Sequence, residues 1–200
     1  MNSGQTAERV YDAIRRRIAE RAFRPGDRLD PAHLARDLNS SVTPVRDALH
    51  LLTGERLVET RVGDGFHLPH IDAPALEDMY VWNLEVLGLA IKSWAKRPSQ
   101  AAAAAAPLDV ADAAAALFTG IAAHSSNAEH PRAIGSLNDR FRAIRAAEAS
   151  VISDWKEEFA QLLAAFGSGT IAELRTGLTR YHRRRRRLAA DIVRALYRPE

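Results

Sequence analysis

Two hundred residues, 46% of them hydrophobic and 26% charged, give one large domain or two small ones enough material for a core, and exclude disorder or a fibre for the chain as a whole. The absence of cysteine excludes a disulfide framework, a thiolate metal site and a cysteine nucleophile. The net charge of +3 depends on one run, Arg183 to Arg187, so bulk charge is a weak argument for nucleic acid and particular residues must carry that case.

The first element predicted is a helix with Val10, Ile14 and Ile18 at four-residue steps, Arg15 and Arg16 on the other side, and Thr6 as its N-cap. Its apolar positions are interleaved with Glu8, Arg9 and Asp12, so it is not a signal-peptide core. Pro25-Gly26 turns the chain and Leu29 begins a short extended piece. Asp30-Pro31 pairs a capping acid with proline at the first helical position, opening a helix that buries Leu34 and Ala35 and ends near Asn39. Thr43-Pro44 repeats that signature, followed by Val45, Ala48, Leu49 and Leu52 in a buried stripe, with Gly54 placed to end it. Two strand-like pieces, residues 57–60 and 66–68, flank Val62-Gly63-Asp64-Gly65, a hairpin turn by composition. Helix, helix–turn–helix and hairpin within about 65 residues is the order of a winged helix–turn–helix.

From residue 71 onward only helical periodicity is found. Asp72 and Pro74 open a helix through Leu76, Met79, Tyr80, Leu84 and Leu87 that closes near Pro98. Residues 99–106 are alanine-rich, and the longest charge-free run, Pro98 to Leu108, is too short and too alanine-rich for a membrane span. Further helices are expected from Val110 to Ala123, from Pro131 through Phe141 and Ile144, and from Val151 through Trp155 to Phe166. Thr170 then caps a last helix carrying Leu174, Leu178, Tyr181, Leu188, Ile192 and Leu196. Arg185 falls on the apolar side of that helix, with its head expected to reach out to water. The rest of the Arg183–Arg187 run reads as a solvated face, or else as a contact for DNA backbone or an acidic partner. The expected fold class is mainly α: a winged helix–turn–helix over residues 1–70, then an all-α helical bundle over residues 71–200.

Residues 7–70 resemble the DNA-binding domain of the GntR family of bacterial transcription regulators. The resemblance is carried by Arg24-Pro25-Gly26-Asp27-Arg28-Leu29, Leu34-Ala35, Ser41-Val42-Thr43-Pro44-Val45-Arg46-Asp47-Ala48-Leu49 and Gly63-Asp64-Gly65-Phe66. It implies that the helix from Pro44 enters the major groove of double-stranded DNA. On that reading Arg46 is the candidate for a bidentate guanine contact, its alternative being a surface salt bridge near Asp47 or Glu55. Ser41 and Thr43 are short donors at a helix N-terminus, His50 follows Arg46 by one turn, and Arg28, Arg61, Gly63 and Gly65 complete the DNA-facing set. Many family members carry arginine where Val42 stands and a basic residue where Asp64 stands. Val42 then offers only apolar contact, Asp64 repels phosphate, and the operator is expected to differ from the family's common one.

Residues 71–200 resemble, more weakly, the FadR-type C-terminal effector domain (FCD), through Leu84-Glu85, Asn138 to Arg142 and the final helix. The resemblance implies dimerisation, a pseudo-palindromic operator and control by a small, anionic metabolite. Many such domains hold a metal with one Asp and three His. Here those positions fall on Asn138, Arg142, the Glu158-Phe159 neighbourhood and Tyr181-His182, so the ligand set is broken and no bound transition metal or other cofactor is expected. Arg142, Asn138, His182 and Tyr80 become the effector-binding candidates. For Arg142 the alternative is a solvated helix face, and for the pocket an apolar one lined by Trp82, Trp94 or Trp155. No HExxH spacing, supported nucleophile or phosphate loop is present, so an enzyme is not expected. The expectation is a cytoplasmic, homodimeric, effector-controlled transcription regulator, a repressor by preference, with no membrane partner. A constitutive DNA-binding protein with a degenerate pocket is one alternative, and a scaffold or enzyme using the bundle is another.

Overall fold

A computed structural model describes residues 3–94, 109–167 and 169–198. The chain divides into two compact units, Met1–Ile71 and Asp72–Glu200.

In the N-terminal unit α1 (Ser3–Ala19) buries Val10 and Ile14 completely. It starts before Thr6, which lies inside the helix and does not cap it. Tyr11 Oη donates to Glu55 Oε1 at 2.6 Å, tying α1 to the far end of α3 (Val42–Gly54). β1 (Arg28–Leu29) is followed by α2 (Pro31–Asp37), whose cap is Asp30: its carboxylate accepts from the His33 amide at 2.7 Å. Asn39, at φ +48°, makes the left-handed turn between α2 and α3.

The N-cap of α3 is Ser41, not Thr43, so Pro44 sits two residues deeper in the first turn than its signature suggested. At the other end Gly54 is still helical, and the left-handed residue that stops the helix is Arg56, φ +61°. The wing strands are β2 (Glu59–Arg61) and β3 (Gly65–His67), shifted from residues 57–60 and 66–68 because Leu57 and Val58 are spent in the core before the ladder begins. The sheet is antiparallel with order β1-β3-β2, and Phe66 faces both Leu29 and Thr60. One apolar core joins Val10, Ile14, Leu29, Leu34, Val45, Leu49, Leu52 and Phe66.

The C-terminal unit is helical among its described residues. α4 (Ala73–Lys92) is capped by Asp72, which accepts from the Ala75 amide at 2.8 Å. It ends at Lys92, before the Pro98 stop expected from sequence; Pro98 and residues 99–106 lie outside the described residues. α5 (Val110–Ala123) packs its alanines along α6 (Glu129–Val151), which begins two residues ahead of Pro131. α7 (Trp155–Gly167) starts after Val151, which belongs to α6. The chain then re-enters through Thr170, in a reciprocal capping box with Glu173, to form α8 (Ile171–Arg187). The expected single last helix is two: α8 stops at Leu188 and α9 (Ala189–Tyr197) continues with Ile192 and Leu196 buried. The apolar spacing runs through the break unbroken, so the sequence pattern does not show it. The described architecture is a winged helix–turn–helix followed by a helical unit.

Candidate functional site

The outward edge of the N-terminal unit is built by the start of α3 and by the wing. Ser41 is exposed and its side chain makes no capping bond, so its hydroxyl and the first free amides of α3 remain available to an anion. Thr43 and Arg46 are exposed on the first turns, and Arg46 makes no ion pair or hydrogen bond among the described residues. The alternative of a salt bridge near Asp47 or Glu55 is therefore not realised; the Glu55 carboxylate accepts from Tyr11. Val42 is half-buried against the core, so packing holds it in place. His50 is exposed and meets Phe66 edge-on, ring centroids 4.9 Å apart, which links α3 to β3.

At the wing, Gly63 (φ +76°) and Gly65 (φ +83°) adopt backbone that a β-branched side chain would strain. Val62 at the tip is fully exposed. Arg61 is paired with Glu59, Nη2 to Oε1 at 2.8 Å. The Asp64 carboxylate lies 3.7 Å from Arg28 Nη1 and 3.1 Å from Nε2 of the buried His67. Arg28 thus offsets the charge expected to repel phosphate, and Asp64 in turn occupies Arg28.

In the C-terminal unit the structure brings Tyr80 and His182 together, ring centroids 6.5 Å apart, and joins Asn138 to them through Arg145 and Phe118, while Arg142 lies nearer the surface. Arg142 is two-fifths exposed and pairs across to α5, Nη1 to Asp112 Oδ1 at 2.7 Å. Asn138 donates to Ala115 O and Thr119 Oγ1, and accepts from Arg145 Nη1 at 2.9 Å. Tyr80 Oη donates to Glu148 Oε1 at 2.7 Å. His182 is buried, with Nδ1 2.7 Å from Leu178 O and Nε2 2.8 Å from the Asn83 carboxamide. A neutral imidazole has one N–H; with Nδ1–H donating to Leu178 O, Nε2 accepts from Asn83 in the amide orientation that also relieves that residue's unpartnered buried Nδ2. Trp82 is half exposed on α4, Trp94 donates to Ile121 O at 2.9 Å, and Trp155 opens α7.

A set the sequence reading missed fills the centre of this unit: Arg145, Glu148, Glu158 and Arg185. Arg185 is fully buried and does not reach water. Its Nε donates to Glu148 Oε2 at 2.6 Å, its Nη1 to Glu158 Oε2 at 2.7 Å, and its guanidinium lies 3.3 Å from the centre of the Tyr181 ring. Burial alone would lower the Arg185 pKa, but Tyr181, Glu148 and Glu158 together hold it above its usual value. Burial raises Tyr80 and Tyr181, so both stay neutral donors. Arg145, its pKa lowered by burial, rests 5.1 Å above each of the Phe118 and Phe141 rings. Two cations face two anions, and the donor set does not fit the Asp-plus-three-His metal centre: Arg142 is committed to Asp112, both His182 nitrogens are occupied, and no cluster of three potential ligands exists among the described residues.

Burial pushes the His182 pKa down to about 3 from 6.5. The unfolded chain therefore binds a proton that the folded chain refuses, and stability is lost as pH falls from 6.5 toward 3. Between pH 6.5 and 5 the loss from this residue is about 2 kcal/mol. Urea unfolding at both pH values should show it, and His182→Gln should flatten the difference; an unchanged slope in that variant refutes the assignment.

Residues 6–68 match the family of bacterial regulatory proteins of gntR type. Over 58 residues the chain is 41% identical to the Nta operon transcriptional regulator of Aminobacter aminovorans, covering 29% of this chain and 28% of that protein. Over 82 residues it is 26% identical to the uncharacterized HTH-type transcriptional regulator YdhC of Bacillus subtilis (strain 168), covering 41% and 37%. The matched segments thus span about a third of those relatives' length. Among solved structures, a GntR transcriptional regulator from Rhodococcus sp. RHA1 is similar at TM-score 0.71 and 18% identity, covering 96% of this chain and 99% of that one. The E. coli protein McbR/YncC is similar at TM-score 0.62 and 19% identity, covering 92% and 97%. At these identities the likeness is one of fold. The matched family and the curated relatives are transcription regulators, not enzymes.

Proposed function

We propose that the chain, whose residues 6–68 match the gntR family of bacterial regulatory proteins, is a sequence-specific transcription regulator that reads a pseudo-palindromic operator as a homodimer. The observation that carries this is Arg46: exposed, free of partners among the described residues, and set on the first turns of α3, the helix that His50 joins to the wing strand through Phe66. Ser41, Thr43 and the first amides of α3 take phosphate or base edge, and Val42 fixes the height of the helix over the groove. His50, Arg28, Arg61 and the Gly63–Gly65 backbone line the flanking phosphates.

The helical unit is the FCD-like part, which dimerises and answers to a small anionic metabolite; the fold shared over nearly the whole chain with the Rhodococcus GntR regulator is what supports this. Control is by linkage: a ligand that prefers one arrangement of the paired heads shifts the operator-competent population, and repression released by ligand is the favoured sign. The core around Arg185, where both carboxylates are already paired internally, favours a second reading, a constitutive DNA-binding protein. The test is fluorescence anisotropy on DNA from the protein's own upstream region, at several salt concentrations and against scrambled competitor. Tight binding that the competitor does not relieve is expected. Weak binding to every sequence alike, collapsing with salt, refutes sequence-specific regulation.

The wing supplies a second expectation. Asp64→Asn removes an anion from the DNA-facing edge and frees Arg28 for phosphate. Affinity should rise several-fold for all duplexes at low salt, and the slope of log affinity on log salt should steepen by about one. A gain confined to one sequence contradicts this backbone role.

A further inference from the structure

The outer face of α8 holds cationic charge for which the described residues supply too few carboxylates. An open groove of about 970 Å³ there is lined by Arg175, Arg180, Arg183, Arg184 and Arg187 with Thr176, and by no acidic side chain. Four-residue spacing builds it as two adjoining rows, 175-179-183-187 and 176-180-184-188. Of the five guanidinium groups only Arg184 meets carboxylates, Asp154 at 3.0 Å and Glu158 at 3.8 Å. Arg180 donates to the neutral Gln161. Arg175 reaches Gly88 O at 3.4 Å, and its buried Nε has no acceptor. Arg183 and Arg187 are exposed and make no bond among the described residues. Three carboxylates of the adjoining core and α7 are already engaged, Glu148 and Glu158 on Arg185 and Asp154 on Arg184, while Glu85 and Glu173 line the neighbouring hollows and not this one.

We propose that this groove binds a small organic polyanion bearing at least two phosphate or carboxylate groups, and that it is the effector site of the helical unit. The second clause rests on the regulator reading given above. Guanidinium forks match carboxylate and phosphate oxygens in pairs, and like charges four residues apart on a helix repel until an anion bridges them. Val151 and Leu188 add apolar wall to the groove, which suits a ligand with a carbon skeleton better than a bare inorganic ion. The same helix sends Tyr181, His182 and Arg185 into the core, so a ligand drawing on its outer face acts directly on the packing of α4, α6 and α7.

The experiment titrates the full chain with citrate and, separately, pyrophosphate by calorimetry at constant ionic strength. Saturable binding of at least one probe is expected. Arg183→Gln/Arg187→Gln, both at exposed positions, should raise its Kd about tenfold or more, with the helical signal unchanged. Arg142→Gln should leave it unaltered. No saturable binding by either probe overturns the proposal, as does binding that survives the double variant or is lost in Arg142→Gln. So does a double variant whose only defect is weakened duplex binding or altered self-association. Operator affinity is measured on the same samples without probe. DNA binding without probe binding overturns this site alone, and probe binding without DNA binding overturns the regulator reading alone.

Discussion

Replacing Arg185 with methionine should cost the helical unit roughly 3–5 kcal/mol of stability, the range for removing one partner of a buried ion pair. Glu148 and Glu158 would be left in the core without the cation that now holds both. Tyr80 and, at 3.5 Å, Tyr181 would still donate to Glu148, but neutral donors do not replace a guanidinium fork. Thermal unfolding should fall by about 10 °C or more. Arg185→Lys should lose less than methionine yet well over 1 kcal/mol, because an ammonium is a point donor and cannot reproduce the Nε and Nη1 geometry. The decisive comparison is Arg185→Met with Glu148→Gln and Glu158→Gln together, which should recover most of the loss since no unpaired charge remains. A loss below about 1 kcal/mol in Arg185→Met would mean that the cluster is hydrated in solution and not the core it forms here.

The other large effect belongs to Arg46→Ala. Operator affinity should drop by about 1–3 kcal/mol, about fivefold to over a hundredfold, while affinity for scrambled duplex changes little. Stability should move by less than about 0.5 kcal/mol, since the side chain is exposed and alanine is a good helix former. Anisotropy on both duplexes separates the roles. Equal loss on both would identify a phosphate contact and remove Arg46 from base reading.

Much of the architecture is legible in the sequence because caps and turns are local chemistry. Asp30, Asp72 and Thr170 cap as their side chains suggest, Asn39 makes the left-handed turn, and the glycines of the wing supply its positive φ angles. Boundaries slip where two signals compete. Pro44 tolerates either of two neighbouring caps, and Gly54 looks like a helix stop although Arg56 performs it. The candidate DNA-facing residues can be proposed from sequence because they fall within a compact stretch of chain and most are exposed, Val42 being packed against the core. The core cluster could not, since a charged residue is ordinarily assigned to water. A signal did exist: Glu148 is in phase with Phe141 and Ile144, and Arg185 with Leu174, Leu178 and Tyr181. Opposite charges in phase with the apolar faces of different helices are the mark of an internal pair, but only the fold shows that those faces meet.

The position of Arg185 in the chain also sets an order of events during synthesis. The winged unit owns every residue of its core from Val10 to Leu68, so it can close while the helices behind it are still being made. The helical unit has no such early closure. Glu148 and Glu158 emerge well before their cation, and until α8 arrives they hold the interior open to solvent. A ribosome paused before Arg185 would therefore carry a finished winged unit on an unfinished helical one, and a protease present at that moment would find the two halves unequally protected.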